Sequence, residues 1–149
     1  MTQGAADPDH VWLVMIKAFQ ALTRYGGAAI EDSGLGNSDF RVLEVLLHKG
    51  ALPVNTIGPI VGLTPGSMSI AVDRLVEKGL VTRDESKEDR RVRIVAMTPR
   101  GKALIVPVFR KHITAMRRVF GELSPEELRD LEKALKTVGK RAAALMEPK

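Results

Sequence analysis

Residues 63–98 read LTPGSMSIAVDRLVEKGLVTRDESKEDRRVRIVAMT. The first half carries a helix signature. Thr64 stands where an N-cap hydroxyl belongs, and Pro65 falls at the first helical position, where its missing N–H costs nothing. Met68, Ala71, Val72, Leu75 and Val76 recur at helical steps and form one apolar face, and Gly79 stops the helix. The opposite face holds Gly66, Ser67, Ser69, Ile70, Asp73 and Arg74, so small and hydroxyl residues dominate its first turn. Two segments with strand character follow, LVTRD (80–84) and VRIVAM (92–97). The connection between them, SKEDRRVR (86–93), puts four basic and two acidic side chains into eight residues. A solvated turn needs polar residues, but not this many guanidinium groups.

On the amino-terminal side, SDFRVLEVLLHKG (38–50) places Phe40, Leu43, Leu46 and Leu47 on a helical stripe that Lys49 and Gly50 end. PVNTIGPIVG (53–62) is a short helix with Val54, Ile57, Ile60 and Val61 inward. Pro59 inside it removes a hydrogen bond, so a short, bent or partly irregular helix is expected. Before these, residues 9–31 carry Val11, Met15, Ala18, Phe19 and Leu22 at amphipathic spacing. On the carboxyl-terminal side TPRGKAL opens a helix with Thr98 as cap, and Pro107 is expected to kink it. SPEEL opens the last helix, with Ser124 as cap, Pro125 first and Glu127 closing a capping box. Leu128, Leu131, Leu135, Val138, Ala142 and Leu145 run along its side. The expected fold class is mainly α with a small β wing. A helix, a short helix, a turn, a helix and two strands make a winged helix-turn-helix, flanked by further helices. The 149 residues fit one domain, with the winged-helix lobe over about 36–100 and flanking helices over about 7–32 and 98–147.

Net charge is +5 and the pI near 9.7, but residues 87–118 alone carry +8. A concentrated positive field suits a polyanion such as nucleic acid. Cysteine is absent, which removes disulfides, thiolate metal sites and thiol redox sensing. The first ten residues have no basic region followed by an apolar run, and no uncharged apolar run approaches the length of a membrane span, so a cytoplasmic protein without membrane association is expected. No glycine-rich phosphate loop, nucleophile elbow or metal triad is present, so an enzyme is not expected. His10, His48 and His112 fall on three different helices without close acidic spacing, so neither a metal site nor a cofactor is expected.

Placement of the charge gives it meaning. A helix fits the major groove of DNA, and its first turn presents backbone N–H groups and small side chains to phosphates and base edges. Thr64, Gly66, Ser67 and Ser69 suit that role, because bulk there would hold the helix off the groove. A hairpin beside such a helix reaches the neighbouring minor groove, which is narrow, strongly negative and accepts arginine. Arg90 and Arg91 at the tip are the groove candidates, and Asp89 is expected to hold one guanidinium in place.

LGNSDFRVLEVL, GLTPGSMSIAVDRLVEKGLVTR and EDRRVRIVAMTPRGKAL together resemble the multiple-antibiotic-resistance regulator (MarR) family of bacterial transcription factors. The strongest part is the reading helix running into a wing with an Asp-x-Arg element, here Asp89-Arg90-Arg91, and then the T..G step at Thr98 and Gly101. The resemblance implies a homodimer held by the first, fifth and sixth helices on a pseudo-palindromic operator. It implies DNA contacts from Ser67, Ser69 and Arg74, with Arg91 in the minor groove. It also implies a repressor, released from DNA, as many family members are, by a small phenolic or amphipathic ligand. The family's pocket lies between the DNA-binding lobe and the dimerisation helices, which makes Trp12, Met15, Phe19, Tyr25, Phe40 and His112 the pocket candidates. The sequence departs from the family at Gly58, where alanine is usual. An architectural or protein-contact winged-helix module without ligand response is the alternative, although such a module has no need of a small first turn on the fourth helix. Independently of the resemblance, the apolar face of the last helix, ending at Leu145 and Met146, needs a partner chain to cover it.

Overall fold

The computed structural model describes residues 6–147. Residues 1–5, on which the expectation of no secretion signal partly rests, and 148–149 lie outside the described residues. The described residues up to Ile113 form one compact unit, and those from Thr114 onward form a second. The elements in order are α1 (Pro8–Glu31), α2 (Asn37–Lys49), β1 (Leu52–Pro53), α3 (Val54–Val61), α4 (Pro65–Glu77), β2 (Val81–Glu85), β3 (Arg93–Met97), α5 (Pro99–Phe120) and α6 (Pro125–Met146).

The core of the first unit forms where the apolar stripes of three short helices meet the wing. Phe40, Val42 and Leu43 from α2, Ile57 from α3 and Met68, Val72 and Leu75 from α4 are buried with Val81 and Val95 of the strands and Ile105 of α5. Full burial of each such side chain is worth about 1.5–3 kcal/mol, so this cluster holds the lobe together. Ile60 and Val76, expected inward, are exposed, because the buried arcs of these helices pass through Ile57 and Val61 and through Met68, Ala71, Val72 and Leu75.

The sheet has strand order β1-β3-β2, all antiparallel, with Val81 opposite Met97 and Leu52 opposite Val95. β1 is an addition to the two expected strands. Two residues are too few for an alternating pattern, and Pro53 is tolerated there because the strand lies at the sheet edge. α3 runs as an unbroken eight-residue helix through Pro59. Pro59 and Asn55 are both exposed, and proline leaves the Asn55 carbonyl without its usual helical N–H partner. At Gly58 a Cβ would lie 3.2 Å from the Leu63 carbonyl oxygen, so the alanine usual in the family would be a tight fit in this chain. α5 is likewise continuous across Pro107.

The T..G step at the foot of the wing also has a physical basis. The Thr98 hydroxyl donates to the Gly79 carbonyl at 2.7 Å and accepts from the Gly101 N–H at 3.0 Å, joining the end of α4 to the start of α5. A Cβ on Gly101 would stand 2.1 Å from the Leu80 carbonyl oxygen, so only glycine fits. In the second unit the Ser124–Glu127 capping box forms as expected, and Leu135, Val138 and Leu145 of α6 are exposed.

Candidate nucleic-acid interface

The reading helix starts at a built cap. The Thr64 hydroxyl oxygen accepts from the Ser67 N–H at 3.2 Å, while its own hydroxyl donates to Ser67 Oγ at 3.0 Å. The Ser67 hydroxyl hydrogen is thereby left to point elsewhere. Gly66, Ser67 and Ser69 are exposed. A Cβ placed on Gly66 would meet nothing within 4 Å. Its φ is not positive, so nothing inside the chain requires glycine there, and a helical glycine costs up to about 1 kcal/mol relative to alanine. The return for that cost has to come from an object outside the chain that approaches closely.

The wing tip is a closed turn: the Ser86 N–H donates to the Val92 carbonyl at 2.8 Å and the Val92 N–H to the Asp89 carbonyl at 2.9 Å. Asp89 accepts from the Arg91 backbone N–H at 3.0 Å and from its Nε and Nη2 at 3.2 and 3.3 Å. The guanidinium that the aspartate holds is thus Arg91, not Arg90. These bonds, the backbone one first, keep the Asp89 carboxyl below the usual carboxylate range. Arg91 is aimed without being covered, since its side chain is 91% exposed. Arg90 is exposed and has no hydrogen-bond or ion-pair partner among the described residues. Two further pairs stiffen the approach to the tip, Arg83 with Asp73 of α4 and Arg93 with Glu85 across the strands. Ser69 and Arg91 line one open groove of about 720 Å³, with α3 residues Asn55 and Pro59 forming another part of its wall.

Arg74 has a different setting from the other candidates. Its Nε and Nη2 bind Asp39 at the start of α2, and Asp39 is the buried charged residue of the lobe. Lys78 stands 3.8 Å from the same carboxylate. The hydrogen bond and the charge of Asp39 raise the Arg74 pKa above its ordinary value, so the guanidinium stays charged. Sequence reading missed Asp39. It lies 35 residues from Arg74, and no local pattern joins them.

The model of the MarR family matches residues 33–92. The HTH-type transcriptional regulator MhqR of Bacillus subtilis (strain 168) is 33% identical over 132 residues, covering 89% of this chain and 91% of that protein. The chain belongs to the MarR family. Its fold matches that of AbsC, a MarR-family transcriptional regulator from Streptomyces coelicolor, with a TM-score of 0.85 at 23% identity, over 96% of this chain and 99% of that one. A mutant MarR from E. coli, solved in complex with operator DNA, matches with a TM-score of 0.78 at 21% identity, over 86% and 92% of the two chains. This MarR-family chain is a transcriptional regulator, not an enzyme.

The pocket candidates of this MarR-family chain separate into two groups. Phe40 is buried and meets the His112 ring at a centroid distance of 5.1 Å and an angle of 58°. His112 Nδ1 is buried and has no hydrogen-bond partner among the described residues. Trp12 and Phe19, by contrast, are exposed, as is Tyr25, and Met15 is half-buried. Among the described residues no helix is long and apolar enough to cross a membrane, and no group of three or more His, Asp or Glu could hold a metal ion.

Proposed function

We propose that this MarR-family regulator is a cytoplasmic homodimeric repressor that binds a pseudo-palindromic operator and leaves it when a small amphipathic or phenolic ligand binds. The observation that carries the DNA reading is the shared groove of Ser69 and Arg91, with Arg91 fixed by Asp89. Thr64, Gly66, Ser67 and Ser69 approach the major groove. Arg91, with Arg90 beside it, enters the adjacent minor groove, where arginine is held by a strong negative potential. Arg74 keeps Nη1 clear of Asp39 and offers it to a phosphate or base edge. The operator complex of the related E. coli protein supports this arrangement.

Homodimerisation is supported by two apolar faces, each exposed in its own unit: Trp12 and Phe19 on α1, and Leu135, Val138 and Leu145 on α6. Ligand response is supported by His112. A buried ring nitrogen without a partner costs about 1–3 kcal/mol, and a ligand hydroxyl or carboxylate beside Phe40 would supply the missing bond.

The test is a competition binding experiment at physiological salt, in which a selected duplex is challenged with bulk genomic DNA. A regulator retains most of the selected duplex against a tenfold excess by mass, since specific sites are typically 10³–10⁷ tighter than bulk DNA. Equal displacement by bulk DNA would instead indicate an architectural binder.

A further inference from the structure

We infer that Ile70 is a sequence-specificity residue, which reads thymine in the major groove through the base's C5-methyl group. The inference rests on the DNA-binding reading above and names what that reading leaves open, the source of base discrimination.

Ile70 is 63% exposed. Met68, Ala71, Val72 and Leu75 take the buried side of α4, and at 100° per residue Ile70 falls near the centre of the opposite side. It stands one turn after Gly66, where nothing occupies the space of the absent side chain. Its methyl groups therefore project from the part of the helix that Gly66 allows to approach DNA most closely. Single exposed apolar residues are common on protein surfaces and mean little by themselves. Position makes the difference here, because this surface loses its water when the helix enters the groove.

The neighbouring side chains narrow the role further. Ser67 and Ser69 hydroxyls both donate and accept, so they suit more than one base and discriminate weakly. The major-groove edges offer one apolar group, the thymine methyl. Against that methyl, Ile70 buries apolar surface on both partners. Against cytosine it would strip water from an amino donor without replacing the hydrogen bond, which is unfavourable. Ile70 thus selects thymine over cytosine where the serines do not.

The experiment uses the full chain and a duplex enriched from a random pool, remade with deoxyuridine in place of thymine at one position at a time. Uracil keeps every hydrogen-bonding group and removes only the methyl. The wild-type chain should lose about fourfold in affinity at one thymine per half-site, the worth of one buried methyl group. Ile70→Ala should bind the thymine and uracil duplexes within a factor of about 1.5 of each other at that position. Alanine is the better helix former and Ile70 is outside the core, so the variant should fold, and circular dichroism with thermal melting checks that it does. A Ser67→Ala control should keep the thymine-to-uracil ratio of the wild type. Equal ratios for the wild type and Ile70→Ala at every position would overturn the role of Ile70 while leaving DNA binding standing. Failure of the wild type to enrich any duplex would overturn the DNA-binding reading, and Ile70's role with it.

Discussion

The Arg74 guanidinium clasps the Asp39 carboxylate through Nε at 3.0 and 3.1 Å and Nη2 at 2.7 Å, tying the reading helix α4 to the start of α2. The two ends of this pair are not equivalent: the Asp39 side chain is 2% exposed and that of Arg74 is 43%. Removing Asp39 leaves a guanidinium that water can reach, whereas removing Arg74 leaves a carboxylate in the core with only Lys78 nearby. Asp39→Ala should therefore cost about 1–2 kcal/mol and Arg74→Ala about 3–4 kcal/mol. Urea denaturation of both variants checks the order, and a larger loss for Asp39→Ala would contradict it.

Two glycines at helix starts, Gly66 of α4 and Gly101 of α5, should respond to alanine with opposite signs. Gly101→Ala drives a Cβ into the Leu80 carbonyl, so it should destabilise by about 3 kcal/mol or more. Gly66→Ala meets open space on a helix and should stabilise by about 0.5–1 kcal/mol. The same Gly66 change should weaken DNA binding at least tenfold, because the new methyl stands between helix and groove. Melting temperature and duplex affinity measured on the same preparations separate the two effects.

At the wing, Arg91→Ala should weaken specific binding by about 1–3 kcal/mol, and more on A·T-rich than on G·C-rich flanks. Asp89→Asn should also weaken it, although the change removes a negative charge near DNA, because Asp89 aims Arg91. The pH dependence has a definite sign. Hydrogen bonds from Arg91 depress the folded Asp89 pKa, so the pairing is fully present above the unfolded value of about 3.9 and is lost as pH falls through the lower folded value. The affinity ratio of wild type to Asp89→Asn should thus stay constant from pH 8 to pH 5. A ratio that collapses within that window, or tighter binding by the variant, would contradict the aiming role.

The helix boundaries were legible in the sequence because their signals are local. Thr64-Pro65, Lys49-Gly50 and the Ser124–Glu127 box each mark a helix end within a few residues, and each is where the structure has it. Asp89 holding Arg91 was legible for the same reason, being two residues apart. Asp39 was not, since its meaning depends on a residue one helix-turn-helix away. β1 escaped because a two-residue strand has no period. The exposure of Trp12 and Phe19 escaped because an amphipathic stripe shows that a face will be covered without showing by which chain.

That cover is itself testable. Leu135→Glu and Val138→Glu change exposed positions of α6, so neither should lower the stability of the lobe by more than about 0.5 kcal/mol. Together they should turn a dimer into a monomer in sedimentation at micromolar concentration and weaken operator binding at least a hundredfold. An unchanged dimer would place the interface elsewhere.

The most direct measurement for the central claim is selection of bound duplexes from a random pool by the full chain, followed by footprinting of the enriched sequence. With one reading helix per chain and the proposed homodimer on each site, the expected product is a pseudo-palindrome with half-sites about one helical turn, roughly 10 base pairs, apart. Protection should extend to the minor groove flanking each half-site, where Arg91 enters, and Arg91→Ala should remove that flank while leaving the half-sites. A single asymmetric half-site, or a pool that returns unenriched, would contradict the reading of α4 and the wing as a paired DNA-reading element.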